Sequence, residues 1–458
     1  MDQSKNSQKV IIVGAGLCGS LLALRLMQRG FKVDMYEKRP DMRNVELDAG
    51  RSINLALSAR GLWALDKVGL KETVLEQCIP MNGRLIHPLG GESFMSPYSG
   101  RPEDFINSVS RPGLNALLLD EADKYDDIQI HFDCEVRQID MANASIEAYD
   151  HKTGSKISDS GSVVIGTDGA GSVVRRSMMA KSGELLFNYS QKFLRHGYKE
   201  LSILPDENGD FKIFKNALHI WPRGQFMIIA LPNLDASFTL TMFHPYGSDI
   251  GFNALDSKDK VKGFFEEYYS DLLPYIPHYI DEYFENPVGN LGTVKCYPWQ
   301  AYGKCLVMGD ASHAIVPFYG QGMNASFEDV RVFDELMDIH GDNWHELFTA
   351  FQDARYKNTD AIADLAIDNF YEMRDHVDDK DFMAKRKLEM QMEQQFPSYY
   401  SKYSLVTFKP EWPYEKAMIL GRKQDELLLG LVRNNENITA EMALAEIEKL
   451  HKSMGYEV

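Results

Sequence analysis

Residues 9–39, KVIIVGAGLCGSLLALRLMQRGFKVDMYEKR, decide the fold. KVIIVG reads as a strand, Gly14-Ala-Gly16-Leu-Cys-Gly19 as a glycine-rich turn, SLLALRLMQRG as a helix and FKVDMYEKR as a second strand, so the stretch is a βαβ unit. Gly14 permits the tight turn, Gly16 lets backbone approach a pyrophosphate, and Gly19 lets helix and strand pack closely. The helix N-terminus offers oriented N–H groups to phosphates. Glu37 closes the second strand, eighteen residues beyond Gly19, where it can accept hydrogen bonds from an adenosine ribose. A glycine turn of an unrelated α/β fold would explain the glycines and leave Glu37 accidental.

The rest of the composition narrows the class. With 458 residues, 44% hydrophobic and 25% charged, the chain is globular and long enough for two or three domains. Its net charge of −18 argues against nucleic acid or an anionic membrane as partner, and favours a small organic substrate. The five cysteines (Cys18, Cys78, Cys134, Cys296, Cys305) form no CxxC pair, so neither a disulfide framework nor a zinc site is expected, and a reducing cytosol fits. His340 and His345 miss the i, i+4 spacing of a helical metal pair, so no metal is assigned. The start, MDQSKNSQ, lacks the pattern of a secretory signal. Nothing near the C-terminus supplies the ~18 apolar residues of a spanning helix.

FAD and NAD share the same opening, and two later segments choose between them. Residues 161–176, GSVVIGTDGAGSVVRR, form a buried strand ending at Asp168-Gly169, then a turn and a helix start. Residues 303–324, GKCLVMGDASHAIVPFYGQGMN, repeat the logic around Gly309-Asp310. Taken singly, either aspartate could be an ordinary turn or N-cap. Together they resemble the paired signatures of the aromatic-hydroxylase family of flavoproteins, in which the second aspartate bonds the ribityl chain and the following helix N-terminus faces the flavin pyrimidine. A helix starting at Gly322-Met323-Asn324 would stabilise negative charge on reduced flavin. The cofactor expected is non-covalent FAD. No second GxGxxG follows a strand and no CxxxxC occurs, so a nicotinamide nucleotide would bind only transiently.

On the substrate side, residues 216–243, NALHIWPRGQFMIIALPNLDASFTLTMF, hold three strand-like runs and imply an antiparallel sheet. Phe238, Leu240 and Met242 point one way, and Thr239, Thr241 and Phe243 the other. From about residue 345 the chain turns helical. In DAIADLAIDNFYEMRDHV the stripe Ile362, Leu365, Ala366, Phe370 and Met373 includes Asn369 at i+7, either a helix-packing amide or one that holds a substrate polar group.

Several segments resemble the kynurenine 3-monooxygenase family more narrowly: the run Gly50-Arg51-Ser52-Ile53-Asn54-Leu55-Ala56-Leu57-Ser58, HIWPRGQFMIIALPNLDASFT, VPFYGQGMNASFED and KYSLVTF. ALPNLD and PFYGQGMN are the most specific, and the match runs from the first strand to about residue 430. The resemblance implies that Arg84, Tyr98, Asn369 and Tyr403 hold the amino-acid end of L-kynurenine. Sequence pattern alone reads Arg84 as an exposed strand arginine. The loop Pro317-Phe318-Tyr319-Gly320-Gln321 would lie against the flavin face, with apolar cover from Met227, Ile229, Leu231, Phe243 and Met373. Relatives vary among His, Phe and Tyr at position 319.

For the cofactor, the resemblance implies Gly14, Gly16, Leu17 and Gly19 at the turn, then Glu37, Lys38, Arg39, Ala56, Arg111 and Val136. Asp168, Asp310, Gly322, Met323 and Asn324 complete that set. The fold class expected is α/β: a Rossmann-type FAD-binding domain (1–75, 111–178 and 301–345) with an antiparallel-sheet substrate domain (76–110 and 179–300) and a helical C-terminal domain (346–458). The reaction implied is hydride transfer from NADPH to FAD, O₂ addition at the flavin C4a carbon to give a hydroperoxide, and transfer of the distal oxygen ortho to the substrate amino group. Alternatives are a hydroxylase of another aromatic acid, such as hydroxybenzoate or salicylate, and a non-hydroxylating flavoprotein scaffold. Eukaryotic relatives carry a hydrophobic C-terminal anchor, whereas this chain ends in ITAEMALAEIEKLHKSMGYEV, so a bacterial cytoplasmic enzyme free of membrane is expected.

Overall fold

A computed structural model describes residues 8–44, 54–375, 380–435 and 437–456. Gly50-Arg51-Ser52-Ile53 and the side chain of Met373 lie outside the described residues. The first strand, Lys9–Val13, is buried at every position from Val10 to Val13, as a strand covered on both faces requires. It pairs in parallel with Lys32–Tyr36 on one side and Val163–Gly166 on the other. The full order is Gln300–Ala301, Cys305–Val307, Val163–Gly166, Lys9–Val13, Lys32–Tyr36 and Ile128–His131, antiparallel only at the Gln300–Ala301 edge. The connecting helix, Leu17–Gln28, is buried almost all round, and Gly30 at φ +87° ends it while Phe31 N–H reaches back to the Leu26 carbonyl at 3.1 Å.

A seven-stranded sheet stands beside this unit, in the order Gly289–Tyr297, Asn188–Ile203, Phe238–Pro245, Phe226–Pro232, Leu218–Arg223, Gly83–Ile86 and Phe94–Pro97. Alternation sorts its side chains as period two requires. Phe238, Leu240 and Met242 pack with Val261, Phe264 and Phe265 of the helix Lys258–Tyr268, whereas Met227 and Phe243 pack with Phe318 on the opposite face. The sheet is mixed, because Gly83–Ile86 runs parallel to Leu218–Arg223 and sets Arg84 opposite Leu218. Within 76–110, only Gly83–Ile86 and Phe94–Pro97 join it. Cys78–Met81 and Ile106–Val109 pair instead with Leu55–Leu57 in a separate three-stranded sheet.

The C-terminal part is helical. The helix Trp344–Asp375, 32 residues long, runs along the flank of both units, and Lys380–Gln395, Lys402–Thr407, Tyr414–Asn434 and Ala440–Ser453 follow it. Leu388, Met392, Tyr399, Leu428, Ala443 and Ile447 give these last helices a core of their own. Among the described residues no helix is long and apolar enough to cross a membrane.

Candidate active site

A cavity of about 630 Å³ extends from the glycine turn to Arg84, within the size range of small-molecule sites. At its outer end Gly14 adopts φ +101°, a conformation that favours glycine. A Cβ on Gly16 would meet no atom within 4 Å, whereas one on Gly19 would lie 2.1 Å from the Gly14 carbonyl oxygen and 2.5 Å from Thr167 Oγ1. Gly16 therefore faces open cavity, and Gly19 is a packing contact behind it. The helix Leu17–Gln28 has no side-chain cap, which leaves its first N–H groups turned to the cavity. Glu37 is anchored by the Ala15 N–H at 3.1 Å and by Arg39, and it lines the wall with Lys38, Arg39 and Val136.

In the middle stretch Leu17, Ala56, Arg111, Asp168, Asp310, Gly322 and Met323 all line the cavity. Asp168 Oδ2 accepts from the Val173 N–H at 2.6 Å, while Oδ1 is buried without a hydrogen-bond partner. Burial pushes this carboxyl up, opposed first by the Ser172 hydroxyl and then by the backbone donors at the start of the helix Val173–Ala180. The helix Gly322–His340 begins at the wall, again without a side-chain cap. Asn324 sits behind that wall. Its amide donates to the carbonyls of Ala56 at 2.8 Å and Gly320 at 2.9 Å, and its Oδ1 accepts from the Ser58 N–H at 2.9 Å, so it braces the helix start against the Ala56 strand.

The inner end is apolar, then abruptly polar. Met227, Ile229, Leu231, Phe243, Pro317 and Phe318 line it, with Phe243 and Phe318 ring centroids 4.8 Å apart. Met81, Ile106 and Leu218 belong to the same wall but carry no sequence signal, because strand pairing brings them in from three separate segments. Arg176 also lines the cavity, and its place in the first turn after Asp168 was a usable signal. The Arg84 guanidinium carbon lies 4.6 Å from the Tyr403 ring centroid and 5.2 Å from that of Tyr98. No described carboxylate comes within salt-bridge distance of it. Tyr98 and Tyr319 both stack on Tyr403, at 5.7 and 5.4 Å, and both hydroxyls are buried without a hydrogen-bond partner. Burial raises both phenols, which keeps them protonated.

Three of the residues predicted to meet substrate do not line the large cavity. Tyr98 lies behind Arg84 and Tyr403 and lines neither cavity. Gln321 Oε1 accepts from the Tyr414 hydroxyl at 2.9 Å, away from the cavity. Asn369 donates to the Phe318 carbonyl at 2.6 Å, which is the helix-packing alternative, yet it also lines a smaller cavity of about 140 Å³ that shares Arg84 and Tyr403 with the large one.

The donor set fits a flavin dinucleotide: an open glycine cradle, an acid at the second strand end, an orphaned Asp168 oxygen and an uncapped helix start. The family described as an FAD binding domain matches residues 7–186. The solved 2-methyl-3-hydroxypyridine-5-carboxylic acid oxygenase shares the fold, with a TM-score of 0.63 at 19% identity over 86% of this chain and 98% of that one. Fold, cavity and the matched domain define a flavoprotein that holds FAD. The kynurenine 3-monooxygenase of Myxococcus xanthus is 44% identical over 429 residues, 93% of this chain and 91% of that protein. The one from Dictyostelium discoideum is 42% identical over 448 residues, 95% of each. The chain belongs to the kynurenine 3-monooxygenase family.

Proposed function

We propose that the protein converts L-kynurenine to 3-hydroxykynurenine, with NADPH as reductant and O₂ as oxygen donor. The observation that carries this reading is the inner end of the cavity, where the Arg84 guanidinium, with no described carboxylate within salt-bridge distance, and the unsatisfied Tyr319 hydroxyl border an aromatic wall. An aromatic amino acid satisfies both halves at once. One oxygen atom enters the ring, the other leaves as water, and NADPH becomes NADP⁺.

Bound FAD supplies the acceptor for the hydride and the activation of O₂. Gly14, Gly16, Leu17, Glu37, Lys38, Arg39, Arg111, Val136, Asp168 and Asp310 are the residues that would hold it. The start of the helix Gly322–His340 stabilises negative charge in the cavity through its free N–H groups. Arg84 binds the α-carboxylate through its planar fork, and Tyr98, kept neutral by burial, backs it. Tyr403 and Asn369 complete that end. Phe243, Phe318, Met227 and Ile229 fix the ring and exclude water, which would otherwise divert oxygen to H₂O₂. The substrate's own aniline nitrogen supplies electron density, so no protein base is required.

In this reading residues 1–75, 111–178 and 301–345 hold the cofactor, 76–110 and 179–300 cover the substrate, and 346–458 close the amino-acid end. A cytoplasmic setting belongs to the same proposal, supported by five free cysteines. Mass spectrometry of the product from L-kynurenine, NADPH and air tests it. Monohydroxylated kynurenine in step with NADPH consumption is expected; turnover of hydroxybenzoate or salicylate with none of kynurenine would overturn it.

A further inference from the structure

Arg60 lies outside the cavity and is completely buried. Its Nε donates to the Val406 carbonyl at 2.8 Å, and its two terminal nitrogens reach the carbonyls of Leu405, Lys409, Pro410 and Trp412. Those carbonyls end the helix Lys402–Thr407, which carries Tyr403, and the turn after it. A cation there complements the negative end of the helix. On its other side Arg60 Nη1 pairs with Glu328 Oε1 at 2.6 Å, and its guanidinium carbon stands 3.9 Å from the Tyr414 ring centroid. Glu328 also takes Arg355, whose Nε holds Asp329 at 2.6 Å; Asp329 in turn accepts from the Gly309 N–H at 3.0 Å, just before Asp310. Tyr414 reaches Gln321, just before the helix Gly322–His340.

One guanidinium thus spans the segment that carries Tyr403 and the two loops at the cofactor side of the cavity. We propose that Arg60 is a positioning residue for the hydroxylation, setting the height of Tyr403, and with it the amino-acid end of the substrate, relative to the Gly309–Asp310 and Gly322 loops. The proposal rests on the substrate reading above. A displacement of about 1 Å at such a support can cost on the order of a hundredfold in rate.

The test is a double-mutant cycle on the FAD-loaded enzyme with Arg60→Lys and Tyr403→Phe. Lysine keeps the charge for Glu328 but cannot bond the ring of carbonyls. Arg60→Lys should raise KM for kynurenine about tenfold and send more NADPH to H₂O₂ with FAD content near wild type, while the melting temperature falls because buried carbonyls lose their donor. Adding Tyr403→Phe should then cost less than it does in wild type, because both changes act on one contact. Independent, multiplying losses would overturn the proposal, as would wild-type KM and coupling in Arg60→Lys. If Arg60→Lys does not hold FAD, the charge-neutral pair Arg60→Met with Glu328→Gln takes its place in the cycle; failure of that pair too makes Arg60 a folding residue and refutes the role. A wild-type enzyme that does not hydroxylate kynurenine, or a Tyr403→Phe variant with no effect alone, refutes the substrate reading instead.

Discussion

Replacing Arg84 with methionine removes the charge on which substrate recognition is proposed to depend and keeps much of the apolar stem. The structure makes the two consequences separable. No described carboxylate is paired with Arg84, and its neighbours are the faces of Tyr98 and Tyr403, so the change strands no buried anion and the melting temperature should move little. Substrate binding should suffer directly. A hydrogen bond to a charged group contributes about 1.5–3 kcal/mol, and ~1.4 kcal/mol is a factor of ten, so losing one or both arms of a carboxylate fork raises KM for L-kynurenine by roughly one to three orders of magnitude. Arg84→Lys should fall between wild type and Arg84→Met, since it restores charge without the planar fork. Steady-state kinetics with kynurenine and with an analogue lacking the α-carboxylate are the assay. Wild type should discriminate strongly and Arg84→Met hardly at all. A variant that retains the wild-type preference for the carboxylate would show that Arg84 does not meet it.

Three further outcomes are expected. Gly16→Val should fold with near-native melting of the apoprotein and lose FAD, because its side chain enters the open cradle; full flavin occupancy by absorbance would refute this. Asn324→Ala removes three hydrogen bonds that tie the helix start to Ala56, Gly320 and Ser58, so stability should drop by about 2–4 kcal/mol and FAD affinity with it, read by denaturant titration and flavin release. Burial holds His244 neutral, its pKa lowered to about 4, while the unfolded chain takes up the proton near pH 6.5. Its contribution is whole above pH 6.5 and declines as pH falls towards 4, by roughly 3 kcal/mol, so the melting temperature of His244→Gln should fall less steeply than wild type across that window.

How much of this was legible in the sequence depends on how local each feature is. The turn from Gly14 to Gly19 and Glu37 sits within one βαβ unit, where period, glycine spacing and the closing acid all lie in one window, so it could be read directly. Asp168 and Asp310 were readable as strand ends for the same reason. Arg84 was not. It looks like any strand arginine until the parallel pairing with Leu218 turns its side chain to the cavity, and that pairing joins segments far apart in the chain. The amphipathic stripe around Asn369 revealed that the amide is buried, but its acceptor, the Phe318 carbonyl, comes from another segment. Arg60 gave no signal at all, since every one of its carbonyl partners lies in the C-terminal region.

Even inside the readable motif, identical letters do different physical jobs. Gly16 and Gly19 are both glycines of one fingerprint, which assigns the first to the pyrophosphate and the second to helix–strand packing. In the fold, a methyl on Gly19 would collide with the Gly14 carbonyl and Thr167 Oγ1, whereas one on Gly16 would stand in open cavity. Thr167 Oγ1 itself bonds the Gly14 carbonyl at 2.8 Å, so the Gly19 contact closes the seam between the first strand's turn and the strand Val163–Gly166. One glycine therefore belongs to the architecture and the other to the ligand. Bulk at position 19 attacks the fold before any cofactor arrives, and bulk at position 16 leaves the fold standing and denies the pyrophosphate its place. The motif works because a backbone seam and a binding surface lie back to back, three residues apart on the first turn of one helix.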